Sequence, residues 1–190
     1  MSCGAVADCV GFGRREGVTT IQRPFIAAFV LAALLAPLSA WAQVTSVKDG
    51  IIGAWAFVSV VSQTDDGTRG EPFGATPKGT IIFTPDGHFS LFQSAAQLPR
   101  LAANDRARAT PEEAMTVVRD SIAYYGTYTV NEAAREIALT IVGSTYTNLM
   151  GATPQRRIIT TLTTTELAFS NPRTPSGMTL HTVWRRATPQ

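Results

Sequence analysis

Tyr124 and Tyr128, four residues apart with Gly126 between them, are the side chains of this 190-residue chain best placed to do chemistry. Side chains alternate along an extended strand, so both phenols point to one face, where they can hydrogen-bond a bound molecule while Gly126 leaves room for it. The competing reading makes them packed wall residues with hydroxyls satisfied at a rim, the usual fate of aromatics in strands. Alternation also sends only one of Arg156 and Arg157 inward. Arg157 shares a face with Ile159 and Thr161, and an inward guanidinium can hold a carboxylate bidentately. Phe83 and Asn148 are counted with Tyr124, Tyr128 and Arg157 as candidate ligand contacts. His88 follows a turn glycine and reads as an exposed rim residue ahead of a catalytic one. Glu112 and Glu113 read as charges at a helix start, not an acid–base pair. No residue is assigned a catalytic role. With His88 and His181 the only histidines, no metal site and no cofactor are expected.

The elements that must position these groups are strands. Ile51 to Ser62 is apolar and β-branched, and Thr64-Asp65-Asp66-Gly67 turns the chain. Thr80 to Thr84 and His88 to Gln93 flank Pro85-Asp86-Gly87, where Pro presets one turn angle and Gly takes the positive one. Tyr124 to Val130 and Ile137 to Gly143 form a second hairpin around Asn131 to Ala134, and Arg156 to Thr163 and Leu167 to Ser170 a third around Thr164 to Glu166. Met178 to Arg186 is the eighth strand. Eight short strands with turn signals at this spacing predict an all-β antiparallel barrel or sandwich. Thr110-Pro111-Glu112-Glu113 is a helix start, and Met115, Val118 and Ile122 then share one face. This one helix, inserted between strands 3 and 4 with the Leu98 to Ala109 loop, is a lid over a cavity mouth or a plug for the barrel's open side.

The two ends of the pattern indicate closure. Gly53 turns the chain into the first strand, and the Trp55 indole plugs one end of a small barrel. The last strand carries Trp184-Arg185-Arg186, and Arg185 is assigned as the cation placed over that indole, since first and last strands become neighbours in a closed sheet.

Residues 1–42 read as a secretory signal with an N-terminal extension, and residues 43–190 as one barrel domain. Arg14, Arg15 and Arg23 precede the apolar run Phe25 to Leu35, and Ala40-Trp41-Ala42 is a small-residue cleavage site. The alternative is a membrane anchor, because Phe25 to Ala42 reaches about 18 residues, but Pro37 interrupts it and no basic stop-transfer cluster follows. No membrane span is expected after cleavage. Both cysteines, Cys3 and Cys9, fall in the discarded segment, so the mature chain has to be held by its core alone. Thirteen basic against twelve acidic residues remain from Gln43 onward, too even a balance for a nucleic-acid partner. No feature of the sequence sets an oligomeric state.

Ile52-Gly53-Ala54-Trp55 with Val58-Ser59, then Pro72-Phe73-Gly74, Pro77-x-Gly79, Ile82-Phe83-Thr84-Pro85-Asp86-Gly87, Thr110-Pro111-Glu112-Glu113, Tyr124-Tyr125-Gly126-Thr127-Tyr128, Gly143-Ser144, Arg156-Arg157 and Val183-Trp184 follow in order. This series resembles the bacterial lipocalin-like domain family. The resemblance implies a calycin-type β-barrel. The chain departs from the family pattern at Leu139, Thr140 and Val142, where relatives often carry histidines and an acid, at Leu149 and at His88. Three functions stay open at this stage: an exported protein binding a small hydrophobic or amphipathic molecule; a barrel isomerase or cyclase acting on a hydrophobic substrate; and a structural or interaction module whose barrel is filled by its own side chains. The expected location is periplasmic or secreted. N-terminal sequencing of the exported protein is expected to begin at Gln43, and an intact Phe25 to Ala42 segment in the membrane fraction would contradict this reading.

Overall fold

A computed structural model of the chain describes residues 46–188 apart from 152 and 175. The expected signal and both cysteines lie outside these residues. A short helix α1 (Val47–Ile51) leads into strand β1 (Gly53–Gln63), followed by β2 (Arg69–Gly70), β3 (Lys78–Phe83) and β4 (His88–Ser94). Helix α2 (Pro111–Asp120) comes next, then β5 (Ser121–Asn131), β6 (Glu136–Ser144), β7 (Gln155–Leu162), β8 (Glu166–Asn171) and β9 (Thr179–Arg186). All pairings are antiparallel, in the order β2-β1-β3-β4-β5-β6-β7-β8-β9, and β9 returns to pair with β1. The result is the closed eight-stranded barrel expected from the sequence, with β2 as a two-residue addition.

Two helical expectations need correction. Because β2 enters the count, α2 lies between β4 and β5 rather than between strands 3 and 4, and a second helix, α1, precedes the barrel. Arg69–Gly70 carries no apolar alternation, so periodicity gives no sign of β2; a hydrogen-bonded turn from Thr64 to Thr68 creates it. The α2 start is as expected. Thr110 Oγ1 accepts from Glu113 N at 3.2 Å, and the Glu113 carboxylate accepts from Thr110 N at 2.9 Å. The helix buries none of its residues, however, and Met115 and Val118 are 63% and 69% exposed. It neither lids nor plugs the barrel.

The plug is α1. It lies at the end formed by the Thr84–Gly87, Glu132–Arg135 and Thr163–Thr165 turns. Its first N–H groups, on Val47 and Lys48, donate to the Glu132 carboxylate at 2.7 and 2.8 Å, and these bonds hold that carboxyl below its ordinary range. Val47 and Ile51 are buried, and Ile51 O accepts from Trp55 Nε1 at 2.8 Å.

Trp55 is fully buried at this closed end, as expected, but its cation is Arg186, not Arg185. The Arg186 Cζ lies 3.9 Å from the Trp55 ring centroid, while Arg185 is exposed. Alternation explains the difference: Trp184 points inward, so Arg185 faces solvent and Arg186 returns to the inner face. Arg186 also donates from Nε to Thr164 O, from Nη1 to Ile52 O and from Nη2 to Gly50 O, at 2.7–2.8 Å. Gly53 sits beneath this clamp with φ +115°, where an added Cβ would come within 3.1 Å of Arg186 Nη1.

The closed half of the barrel is filled by its own side chains: Trp55, Ile81, Phe83, Ile137, Leu139, Leu167 and Trp184 all lie at or below 1% exposure. Trp55→Ala is expected to cost about 3 to 5 kcal/mol. Urea denaturation checks this, and a midpoint that barely moves would place the indole outside the structural core.

Candidate functional site

The other half of the barrel differs in chemistry. Apart from Ser94, the buried polar side chains among the described residues are Ser62, Gln93, Arg157 and Thr182, and all four lie on inward-facing positions near the strand ends away from α1. Arg157 is the inward member of its pair and is 4% exposed. Arg156 points outward and pairs with Glu136. A register shift between Ile159 and Thr161 turns Leu162 inward, so Thr161 leaves the face it was expected to share with Arg157.

Three neutral oxygens hold the Arg157 guanidinium. Nη1 donates to Arg156 O at 2.9 Å and to Asn171 Oδ1 at 2.8 Å, and Nη2 donates to the Tyr124 hydroxyl at 3.2 Å. The arginine therefore ties β7 to β8 and, across the interior, to β5. No carboxylate among the described residues comes within ion-pair distance of it, and no aspartate or glutamate is buried there. Its Nε–H has no protein acceptor among these residues. The Gln93 amide and Thr182 hydroxyl make no side-chain hydrogen bond to another described residue.

This half also has two unpaired seams. β3 pairs with β1 only over Gly53–Ala56, and β2 takes up that edge again at Ser62–Gln63. Phe73, from the loop before β3, covers the gap edge-on to Phe57 with ring centroids 6.1 Å apart. β7 pairs with β6 only over Glu136–Leu139, which leaves the Thr140–Ser144 end of β6 without a β7 partner.

The structure separates the remaining candidates. Tyr124 and Tyr128 share the inner face as expected, but four residues of strand span about 13 Å, so one face is not one site. Tyr128 belongs to the closed half: its hydroxyl donates to Thr84 O at 2.7 Å, and its ring meets Phe83 at 5.2 Å and 82°. Burial, then the nearby Asp86 charge, pushes its phenol above the ordinary value. Phe83, 1% exposed, is a core residue beside it. Asn148 is exposed on a short 3₁₀ turn, and it is the following Leu149 that is buried. Gly126 does not make space for a ligand. A Cβ there would lie 1.9 Å from Thr140 O, because a bulge between Tyr125 and Gly126 presses β5 against β6.

Sequence reading missed Asn171, Gln93, Ser62 and Thr182, although each is a polar residue at an inward position of an otherwise apolar alternation. It also missed Ser170 Oγ, 2.9 Å from His181 Nδ1. That pair sits on the outer wall, opposite in alternation to Phe169 and Trp184, and no carboxylate among the described residues bonds His181. The described residues contain no group of acidic, cysteine and histidine side chains that could hold a metal ion. They form no helix long and apolar enough to cross a membrane.

A buried guanidinium without a counter-charge is no asset to folding, so Arg157→Met is expected to leave the urea midpoint unchanged or raise it. Tyr124→Phe, which removes one of its acceptors, is expected to cost about 1 to 3 kcal/mol. A steep loss in Arg157→Met would instead make the arginine a structural staple.

A family model described as a lipocalin-like domain matches residues 52–187. Among solved structures, the chain is similar to a redesigned β-barrel, mFAP1, bound to DFHBI, with 16% identity over 75% of this chain and 100% of that one and a TM-score of 0.37. It is similar also to EF1p2_mFAP2b bound to DFHBI, with 14% identity over 75% of this chain and 98% of that one and a TM-score of 0.36. No curated protein matches the chain. The family match runs from the residue before β1 to the residue after β9, and the chain belongs to the lipocalin-like domain family.

Proposed function

We propose that this domain is an exported binding protein that holds one small amphipathic molecule in the open half of its barrel. The observation that carries the reading is the inward set of Ser62, Gln93, Arg157 and Thr182 above a solid aromatic floor. Polar groups on a barrel's inner wall cost desolvation energy and contribute nothing to packing, whereas a few of them around an apolar space orient a ligand. Leu91 and Ile141, buried on the two strands that flank β5, supply apolar wall. The filled closed half confines the molecule to the other half and so limits its length. Export rests on the expected signal at residues 1–42, and no residue is given a catalytic part.

The same filled half favours one other reading, a barrel that serves only as a structural module. The Gln93 and Thr182 side chains, buried without a side-chain hydrogen bond to another described residue, weigh against it, since a self-filled interior pairs or excludes such groups.

Uncharged N-phenyl-1-naphthylamine is expected to bind the mature protein with one-to-one stoichiometry and a rise in fluorescence. Gln93→Trp, which fills the mouth, is expected to abolish the rise while the urea midpoint stays within about 1 kcal/mol of the parent. Absence of binding to the parent protein would leave the structural module as the function.

A further inference from the structure

We infer that the molecule held in the open half is an amphipathic carboxylic acid whose carboxylate docks on Arg157; this rests on the binding reading above. The charge requirement comes first. A guanidinium stays protonated at any physiological pH, so Arg157 brings a permanent positive charge into the barrel wall. Its three protein partners, Arg156 O, Asn171 Oδ1 and the Tyr124 hydroxyl, are all neutral. No acidic side chain is buried among the described residues, and the nearest acid in the strand pairing, Glu136, is engaged outside by Arg156. The counter-charge is therefore not supplied by these residues.

Geometry then selects the group. Nη1 is fully committed to two acceptors and Nη2 to one, which leaves Nε–H and a second Nη2 hydrogen. Both are free, among the described residues, to donate to the oxygens of a carboxylate. The three existing bonds fix the plane in advance, so docking orders little more of the side chain. An acid also fits its surroundings: Thr182 and Gln93 offer further polar atoms, and Leu91 and Ile141 offer apolar wall for a short tail.

The test is displacement of N-phenyl-1-naphthylamine from the mature protein by decanoate or by decanol, which share a tail length and differ in the head. Decanoate is expected to displace the probe at a concentration about tenfold lower than decanol, and in Arg157→Gln, with displacement referred to that variant's own probe affinity, the preference is expected to be lost. Equal potency of the two competitors in the parent protein, or a preference that survives in Arg157→Gln, overturns the inference and leaves the pocket reading standing. If the probe itself fails to bind, the pocket reading falls and the inference with it. Should Arg157→Gln not fold, the comparison of decanoate with decanol on the parent protein alone decides.

Discussion

The Arg186 guanidinium lying on the Trp55 indole is the contact on which the rest of the barrel depends. One side chain from the last strand covers the plug residue of the first and binds carbonyls of Gly50 and Ile52 before β1 and of Thr164 in the β7–β8 turn. Burial pushes this guanidinium below its ordinary pKa, yet it keeps its charge, and three carbonyl oxygens and a π face replace lost water. Without this contact α1 loses its anchor on one side, and the seam that makes a sheet into a barrel loses its lower end.

From that floor the interior changes character along the barrel axis. Near α1 the strands carry large, fully buried apolar side chains. Toward the other end two seams lose their strand pairing, and polar side chains enter the wall. The two arginines inside the barrel mark the contrast. Arg186 donates from all three of its nitrogens to backbone carbonyls and lies on an indole, whereas Arg157 donates from Nη1 and Nη2 alone and its Nε–H has no acceptor among the described residues.

Much of the fold was legible because periodicity and turn chemistry are local. The eight barrel strands, the Pro85-Asp86-Gly87 turn, the capped start of α2 and the burial of Trp55 all follow from short windows of sequence. What was not legible depends on partners far along the chain. The plug helix α1 is held by Glu132, 85 residues away, and no local pattern announces that. The bulge that brings Gly126 against Thr140 is a property of two strands meeting, so Gly126 looked like space for a ligand when it is space for a neighbouring backbone. Strict alternation from Trp184 puts Arg186, not Arg185, on the inner face. In the site, Arg157 and Tyr124 were found because their residue types are conspicuous, whereas Gln93, Thr182 and Asn171 are ordinary in type and informative only by position. Tyr128 shows the converse: a shared face, read without its depth along the barrel, places a core residue in a binding site.

The closure of β9 on β1 also sets the order in which this molecule can fold. Arg186 meets Gly50 across 136 residues of sequence, and the β1–β9 ladder is among the most extensive in the sheet. Hairpins such as β3–β4 and β5–β6 can form as soon as their residues are available, but none of them seals the aromatic interior. A chain emerging from the ribosome therefore carries Trp55, Phe57 and Phe83 without their final cover until the last strand is free, and topology makes sealing of the core the last step.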